Sequence, residues 1–347
     1  MSDAFRELLK KVGSGNHTNK DLTRTEAFQA AEMMLLHQAT PAQIGAFLIS
    51  HRIKRPTGIE LAGMLDAYDE LGPKLQPINN SQKVIIFGTP YDGHSRFSPI
   101  IPITALILTA AGVPVILHGG DRMPTKEGIP LIEVWQGLGL YWNRYDIPQI
   151  QNILEKTHLG FVYIPHHFPL AQQIVPYRSQ IGKRPPLSTL ELIWCPYAGQ
   201  SHIISGFVHP PTEQMFQDAH TLRGVTTYTT VKGLEGSPDL PRDRAVIVGH
   251  TNPHQKFERT ILHSWDYGLG GKDFPLPETN PELITEIQAT LQGKPSEMTK
   301  SAIWNGGFYL WHCGICPDLE TGLAKAEQMI ITQEVAEKLK QIKAACN

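Results

Sequence analysis

Thr40-Pro-Ala-Gln-Ile-Gly-Ala-Phe-Leu-Ile-Ser-His-Arg-Ile-Lys54 opens like a capped helix, with a hydroxyl, a proline at the first helical position, and Gln43 three residues after the hydroxyl. Behind the cap, Ile44, Phe47, Leu48 and His51 fall at i, i+3, i+4 and i+7, which gives one apolar face. Thr23 and Glu26 repeat the cap upstream, ahead of Phe28, Ala31 and Leu35, and Thr57 with Glu60 repeats it downstream. The pattern predicts three short helices in the first 72 residues. Such helices must bury their stripes against the rest of the chain or a second subunit.

From Lys83 the period changes. Lys83-Val-Ile-Ile-Phe-Gly88 and Val113-Pro-Val-Ile-Leu117 read as buried strands around a helix near Pro102–Ala111. Further apolar runs lie at Phe161–Ile164, Ile203–Val208, Val225–Val231 and Ala245–Val248, and the tail from Leu319 to Ala344 reads as helix. Strands alternating with helices predict an α/β fold, a small N-terminal helical domain plus a large α/β domain with a mainly parallel central sheet. Function is then expected in the loops at the strand ends.

The 347 residues suffice for about two domains. With 31 Lys and Arg against 33 Asp and Glu, no global charge drives the chain toward nucleic acid or anionic membranes, although a local basic groove remains compatible with a neutral total. Four cysteines are too few for a disulfide scaffold at this length. The uncharged stretch Phe97–Leu117 contains Pro99, Pro102, Gly112 and Pro114, so it breaks into helix and strand rather than one membrane span. Met1–Val12 is amphipathic and lacks an apolar signal core. A soluble, cytoplasmic protein with no membrane partner is the expectation.

Asp21-Leu-Thr-Arg-Thr-Glu-Ala27, Thr40–Lys54 and Glu60-Leu-Ala-Gly63 resemble the helical domain of anthranilate phosphoribosyltransferases. Later pieces keep that family's order: Gly88-Thr-x-x-Asp-Gly93, His118-Gly119, Pro165-x-x-x-Pro169, Val175-Pro-Tyr-Arg178 with Gly182, Lys232-Gly-Leu-Glu235, and Asn305. The resemblance implies a helical domain over 1–75, completed by part of 168–195, and an α/β domain over 80–347. It places the phosphate-loop cleft at their junction. It also implies a homodimer through the N-terminal helices, and magnesium-assisted transfer of phosphoribosyl from phosphoribosyl pyrophosphate to anthranilate. The implied ligand- and phosphate-binding residues are Gly88, Thr89, Asp92, Gly93, Arg96, His118, Gly119, Arg122, Lys126, Arg178 and Lys232, with Glu235 toward Mg2+.

Several of these motifs depart from the family pattern. Pro90 and Tyr91 stand where the family has two glycines, so one N–H is lost and a side chain is added where backbone should approach the ligand. One charge-assisted hydrogen bond is worth about 1.5–3 kcal/mol, roughly 10- to 150-fold in affinity. Ser98-Pro-Ile-Ile101 replaces Asn-x-Ser-Thr, Gly120-Asp121 replaces Asn-Arg with Arg122 displaced by one, and Glu235-Gly236 replaces an Asp-Glu pair. The family's His-Pro near the acceptor site becomes Phe168-Pro169. Together these changes resemble a divergent paralogue branch that keeps the fold, loses the donor motif and includes nucleic-acid-binding proteins.

Arg96, Arg122, Lys126, Arg178, Lys183, Arg184 and Lys232 suit a phosphate-bearing small molecule or single-stranded nucleic acid, with Tyr91 and Phe97 either stacking on bases or simply packing. Three alternatives stay open. The basic residues can be ordinary surface, the chain can be a structural dimer, or it can be a working phosphoribosyltransferase rebuilt on Asp92, Arg96, Arg122 and Glu235. Trp311-His-Cys-Gly-Ile-Cys316 adds a Cys-x-x-Cys, read as ordinary thiols, a redox pair, or zinc ligands with His250 and His254.

Overall fold

A computed structural model describes residues 2–15, 17–251 and 256–346 of the chain. Four helices, not three, open the chain: α1 (Asp3–Gly13), α2 (Arg24–Leu35), α3 (Pro41–Lys54) and α4 (Gly58–Leu71). The charged N-terminal stretch folds because Phe5, Leu8 and Val12 share a buried face, and the Phe5 ring lies 5.3 Å from that of Phe47. The three threonine capping boxes form as expected, on Thr23, Thr40 and Thr57. Glu60 also ties the bundle together, because it accepts the Leu22 N–H at 2.9 Å and pairs with Lys54 at 2.9 Å.

Seven strands form one sheet: β1 (Val84–Gly88), β2 (Val115–Gly119), β3 (Leu159–Tyr163), β4 (Ser201–Gly206), β5 (Tyr228–Val231), β6 (Val246–Thr251) and β7 (Glu258–Leu262). Their order is β3-β2-β1-β4-β5-β6-β7, with the first five parallel and the last two antiparallel. The fold is therefore a small helical domain beside a large α/β domain with a mostly parallel sheet. Strand β7 does not stand out as an apolar run because it is a solvent-facing edge carrying Glu258 and Arg259.

Phe97–Leu117 is a loop, the helix α5 (Ile101–Ala110) and β2, and among the described residues no helix is long and apolar enough to cross a membrane. Parallel strands put the ends at Gly88, Gly119, Gly206 and Val231 on one edge of the sheet, so the loops that follow them share that edge. Gly88 is required there, because a Cβ would sit 1.7 Å from the Leu192 carbonyl oxygen.

Candidate functional site

A cleft of about 430 Å3 opens at this edge, between the Pro90–Arg96 loop, Ser188–Leu192, the Gly206–His209 turn and Glu235-Gly236. Gly93 turns the first loop with φ +75°, a conformation that favours glycine. The loop then presents three successive N–H groups, and one carboxylate of the protein fills them. Glu235 accepts from the N–H of Ser95 at 3.2 Å, of Arg96 at 2.9 Å and of Phe97 at 3.1 Å. The Ser95 hydroxyl at 3.1 Å and the Lys126 ammonium at 3.0 Å complete its shell.

Glu235 itself has φ +54°, so a sparsely populated backbone conformation aims it at the loop. Burial pushes its carboxyl pKa up, but the Arg96 N–H and Lys126 prevail and hold it at about 2. Four residues on, Asp239 accepts the Ile100 N–H at 3.1 Å ahead of α5, a helix start with no side-chain cap of its own. Burial pushes this second carboxyl up to about 7, against hydrogen bonds from Ser237 and from the N–H groups of Ile101 and Ile100. Buried His94 lies between the two, 3.9 Å from Glu235 and 3.4 Å from Asp239, and burial lowers it to about 4. Both anion-seeking positions of the region, the turn of N–H groups and the helix start, are thus served by the chain's own carboxylates.

The other candidate residues divide. Asp92 is buried and pairs with Arg184, and Lys126 also donates to the Gly93 carbonyl at 2.7 Å. Arg178 forms part of the cleft wall, but it is 3% exposed and pairs with buried Glu191. Arg122 turns away from the cleft onto Glu133 at 2.7 Å. His118 is sealed beneath Tyr91, whose hydroxyl lies 2.6 Å from its Nδ1, and Thr89 is buried as well. Tyr91 therefore packs in place of offering a stacking face. Gly119 ends β2 paired with Tyr163, and Lys232 follows the end of β5, half-buried and without an ion-pair partner among the described residues. Arg96 is exposed, its guanidinium 5.7 Å from the centre of the Phe97 ring.

Sequence reasoning named Lys183 and Arg184 but missed the other side of the outer site. Through Arg184, Thr189, His209 and Thr212 the cleft runs into a groove of about 1070 Å3. Arg52, Arg55, Lys183 and Arg184 line it, and no Asp or Glu does. Arg52, Arg55 and Lys183 have no ion-pair partner among the described residues. The run Arg52-Ile-Lys-Arg55 at the end of α3 was the available signal, but only the tertiary fold brings it opposite Lys183-Arg184. Asp239 and His94 had no sequence signal beyond their types.

The Cys-x-x-Cys thiols are unpaired, and burial pushes both up, Cys313 to about 12. Neither therefore has the thiolate character that redox exchange needs. His254 lies outside the described residues, and among the described residues no group of three His, Cys, Asp or Glu is placed to hold a metal ion.

Residues 6–72 match the glycosyl transferase family helical bundle domain, and residues 80–334 match that family's a/b domain. An anthranilate phosphoribosyltransferase of Verminephrobacter eiseniae is 25% identical over 332 residues, 94% of each chain. An uncharacterized protein of Aquifex aeolicus is likewise 25% identical, over 94% of this chain and 99% of its own. Among solved structures, the Saccharomyces cerevisiae anthranilate phosphoribosyltransferase in complex with PRPP and Mg superposes with TM-score 0.84 at 16% identity, covering 99% of this chain and 98% of that one. The anthranilate phosphoribosyltransferase of Thermus thermophilus gives 0.79 at 18% identity over 99% of both. With both domain models matched in order and the fold shared end to end, the chain belongs to the glycosyl transferase family that contains the anthranilate phosphoribosyltransferases.

Proposed function

We propose that this chain is an anthranilate phosphoribosyltransferase-like protein that does not perform the transfer and instead binds single-stranded nucleic acid along the basic groove. The observation that carries the reading is Glu235. Just past the Gly88–Gly93 loop, where the resemblance expects a pyrophosphate, the N–H groups of the Ser95–Phe97 turn already hold a carboxylate, paired with Lys126. A donor phosphate arriving there meets a buried negative charge, and displacing it costs several hydrogen bonds at once.

Magnesium does not fit the residues present. Both Glu235 oxygens are taken by N–H and O–H donors with an ammonium 3.0 Å away, Gly236 offers no second carboxylate, and Asp92 is paired to Arg184.

Among the described residues, exposed cations without an ion-pair partner line the groove at Arg52, Arg55 and Lys183 and the cleft rim at Arg96. An unbalanced row of this kind suits a run of phosphates better than one small ligand. The homodimer through the N-terminal helices and the domain limits 1–75 and 80–347 are part of the same reading.

Two titrations test it. Fluorescence anisotropy with labelled oligothymidylate should show binding that weakens with salt, with a log–log slope of about −3 for four phosphate contacts. Calorimetry with phosphoribosyl pyrophosphate and Mg2+ should show no heat at millimolar donor. Micromolar donor binding overturns the proposal and restores the transferase; a salt-independent or absent oligonucleotide signal removes the nucleic-acid half.

A further inference from the structure

The opposite edge of the sheet holds a second cavity that the reading above does not use. About 550 Å3 in volume, it opens where the end of the Glu297–His312 helix meets the starts of the parallel strands. Lys83 ahead of β1, His202 of β4, His250 of β6 and His312 of the helix converge on it, and none of its lining residues is Asp or Glu. The Trp311-His312-Cys313 segment forms one wall with Phe308.

The geometry of the basic groups is specific. His202 Nε2 lies 2.8 Å and His312 Nε2 2.7 Å from the same hydroxyl, that of Thr229. One hydroxyl carries one proton, so it can donate to at most one of the two imidazoles, and at least one ring donates its Nε2–H to it. The His250 ring stands edge-on to His312, centroids 5.8 Å apart, and its side chain makes no hydrogen bond among the described residues. Lys83 donates to Thr227 Oγ1 at 3.0 Å and keeps further N–H groups for a ligand.

In the free protein the His202 and His312 rings resist protonation. Burial, with His312, Lys83 and His250 close by, pushes His202 well below its ordinary value, and burial with His250 holds His312 at about 4. Facing them from the other packed elements are Thr227 and Thr229 of the β5 region, Thr260 of β7, Ser81-Gln82, and the Cys313 thiol, which stays neutral. Among the described residues the cavity lining thus has basic capacity and no carboxylate, and an anion would supply the missing charge.

We propose that this cavity binds a small organic oxyanion, a carboxylate or phosphate ester, on Lys83 and the three imidazoles, and that one imidazole takes up a proton on binding. The apolar body of the ligand lies against Phe308 and Trp311. The anion favours the charged imidazole and raises its pKa, so affinity rises as pH falls, by up to about tenfold per pH unit for one proton.

Imidazole NMR of the full chain, titrated with inorganic phosphate and with benzoate, tests the site. Saturable shifts of the His202, His250 and His312 signals are expected, tightening from about pH 7.5 to about pH 6. Affinity should fall at least tenfold in His250→Gln and in Lys83→Met, the latter keeping the aliphatic stem. Phosphate or benzoate binding the tighter identifies the headgroup, and either supports the site. The His250 side chain has no hydrogen bond to lose among the described residues, so an unchanged near-UV spectrum shows that its variant folds, and oligonucleotide binding in the distant groove should not change. No shift at tens of millimolar anion overturns the proposal, as does a shift that survives both variants or ignores pH. Zinc that binds the three rings while anions do not overturns it in favour of a metal site.

Discussion

The inner cleft and the outer groove share a rim, yet they treat charge in opposite ways. Inside, three of the four cleft cations are matched: buried Arg178 with Glu191, half-buried Lys126 with Glu235, and Arg184, exposed at the shared rim, with Asp92. Outside, Arg52, Arg55 and Lys183 face the groove with no acid in its lining. Counting basic residues along the chain treats these two sets alike. Their partners separate them, since a paired, buried cation holds the fold and an unpaired, exposed one is available to a ligand.

The largest effect that follows belongs to the inner set. Glu191→Ala strands the Arg178 guanidinium at 3% exposure, with the Met123 sulfur as its remaining hydrogen-bond partner among the described residues. Urea denaturation should register a loss of about 3–5 kcal/mol. A variant as stable as the parent would mean that the cleft wall is not held by this pair, and Arg178 would return to the pool of ligand contacts.

Next in size is the Glu235 carboxylate. Held at about 2 against an ordinary value of ~4.3, it contributes about 3 kcal/mol near neutrality. Because the folded-state value is depressed, this contribution is full above the unfolded value and is lost as pH falls from ~5 toward ~2. Glu235→Gln should remove that part of the acid sensitivity, so a stability profile below pH ~5 that parallels the parent's would break the assignment. The substitution also lifts the charge from the N–H turn, and inorganic phosphate should then protect the variant from denaturation more than it protects the parent.

The outer set should show the converse behaviour. Arg52→Ala, Arg55→Ala and Lys183→Ala combined should leave stability nearly untouched. Near 0.1 M salt the triple variant should weaken oligonucleotide binding about 100-fold and flatten the salt slope by ~2. Loss of binding with an unchanged slope would point to base stacking instead of phosphate contact. Unchanged binding would move the ligand out of the groove altogether.

How much of this was legible in the chain depends on distance along it. Capping boxes are four-residue signals, and those on Thr23, Thr40 and Thr57 are legible to the residue. The central strands announce themselves as apolar runs because both of their faces are buried, whereas β7 hides as a polar edge. The alternation of strands and helices pointed to the loops at the strand ends. What the sequence could not reveal is pairing across long separations. Glu235 reaches a turn 138–140 residues away, and Arg184 reaches Asp92 across 92. Such partners decide whether a basic residue is a ligand contact or a strut, and no local pattern encodes them. The basic run after α3 was visible, but its role depends on Lys183-Arg184, over a hundred residues on, lining the same groove.

Arg122 gives the smallest effect and the sharpest discrimination. By position it belongs with the phosphate loops, and by geometry it belongs with neither set. Its guanidinium forms a two-pronged pair with Glu133, at 2.7 and 2.8 Å, on a surface where the arginine is 45% exposed. An exposed pair of this kind is worth about 0–1 kcal/mol. Arg122→Ala should therefore cost little stability and leave oligonucleotide affinity and salt slope within measurement error. By contrast Arg96, on the cleft rim, is exposed with only the Phe97 ring beneath it, so Arg96→Ala should weaken binding roughly fivefold for one phosphate contact. If the two variants behave alike, ion-pair status does not govern which cations meet the ligand, and the division between inner and outer sets fails. If Arg96 alone responds, the pairing read from the fold is the property that selects the binding residues.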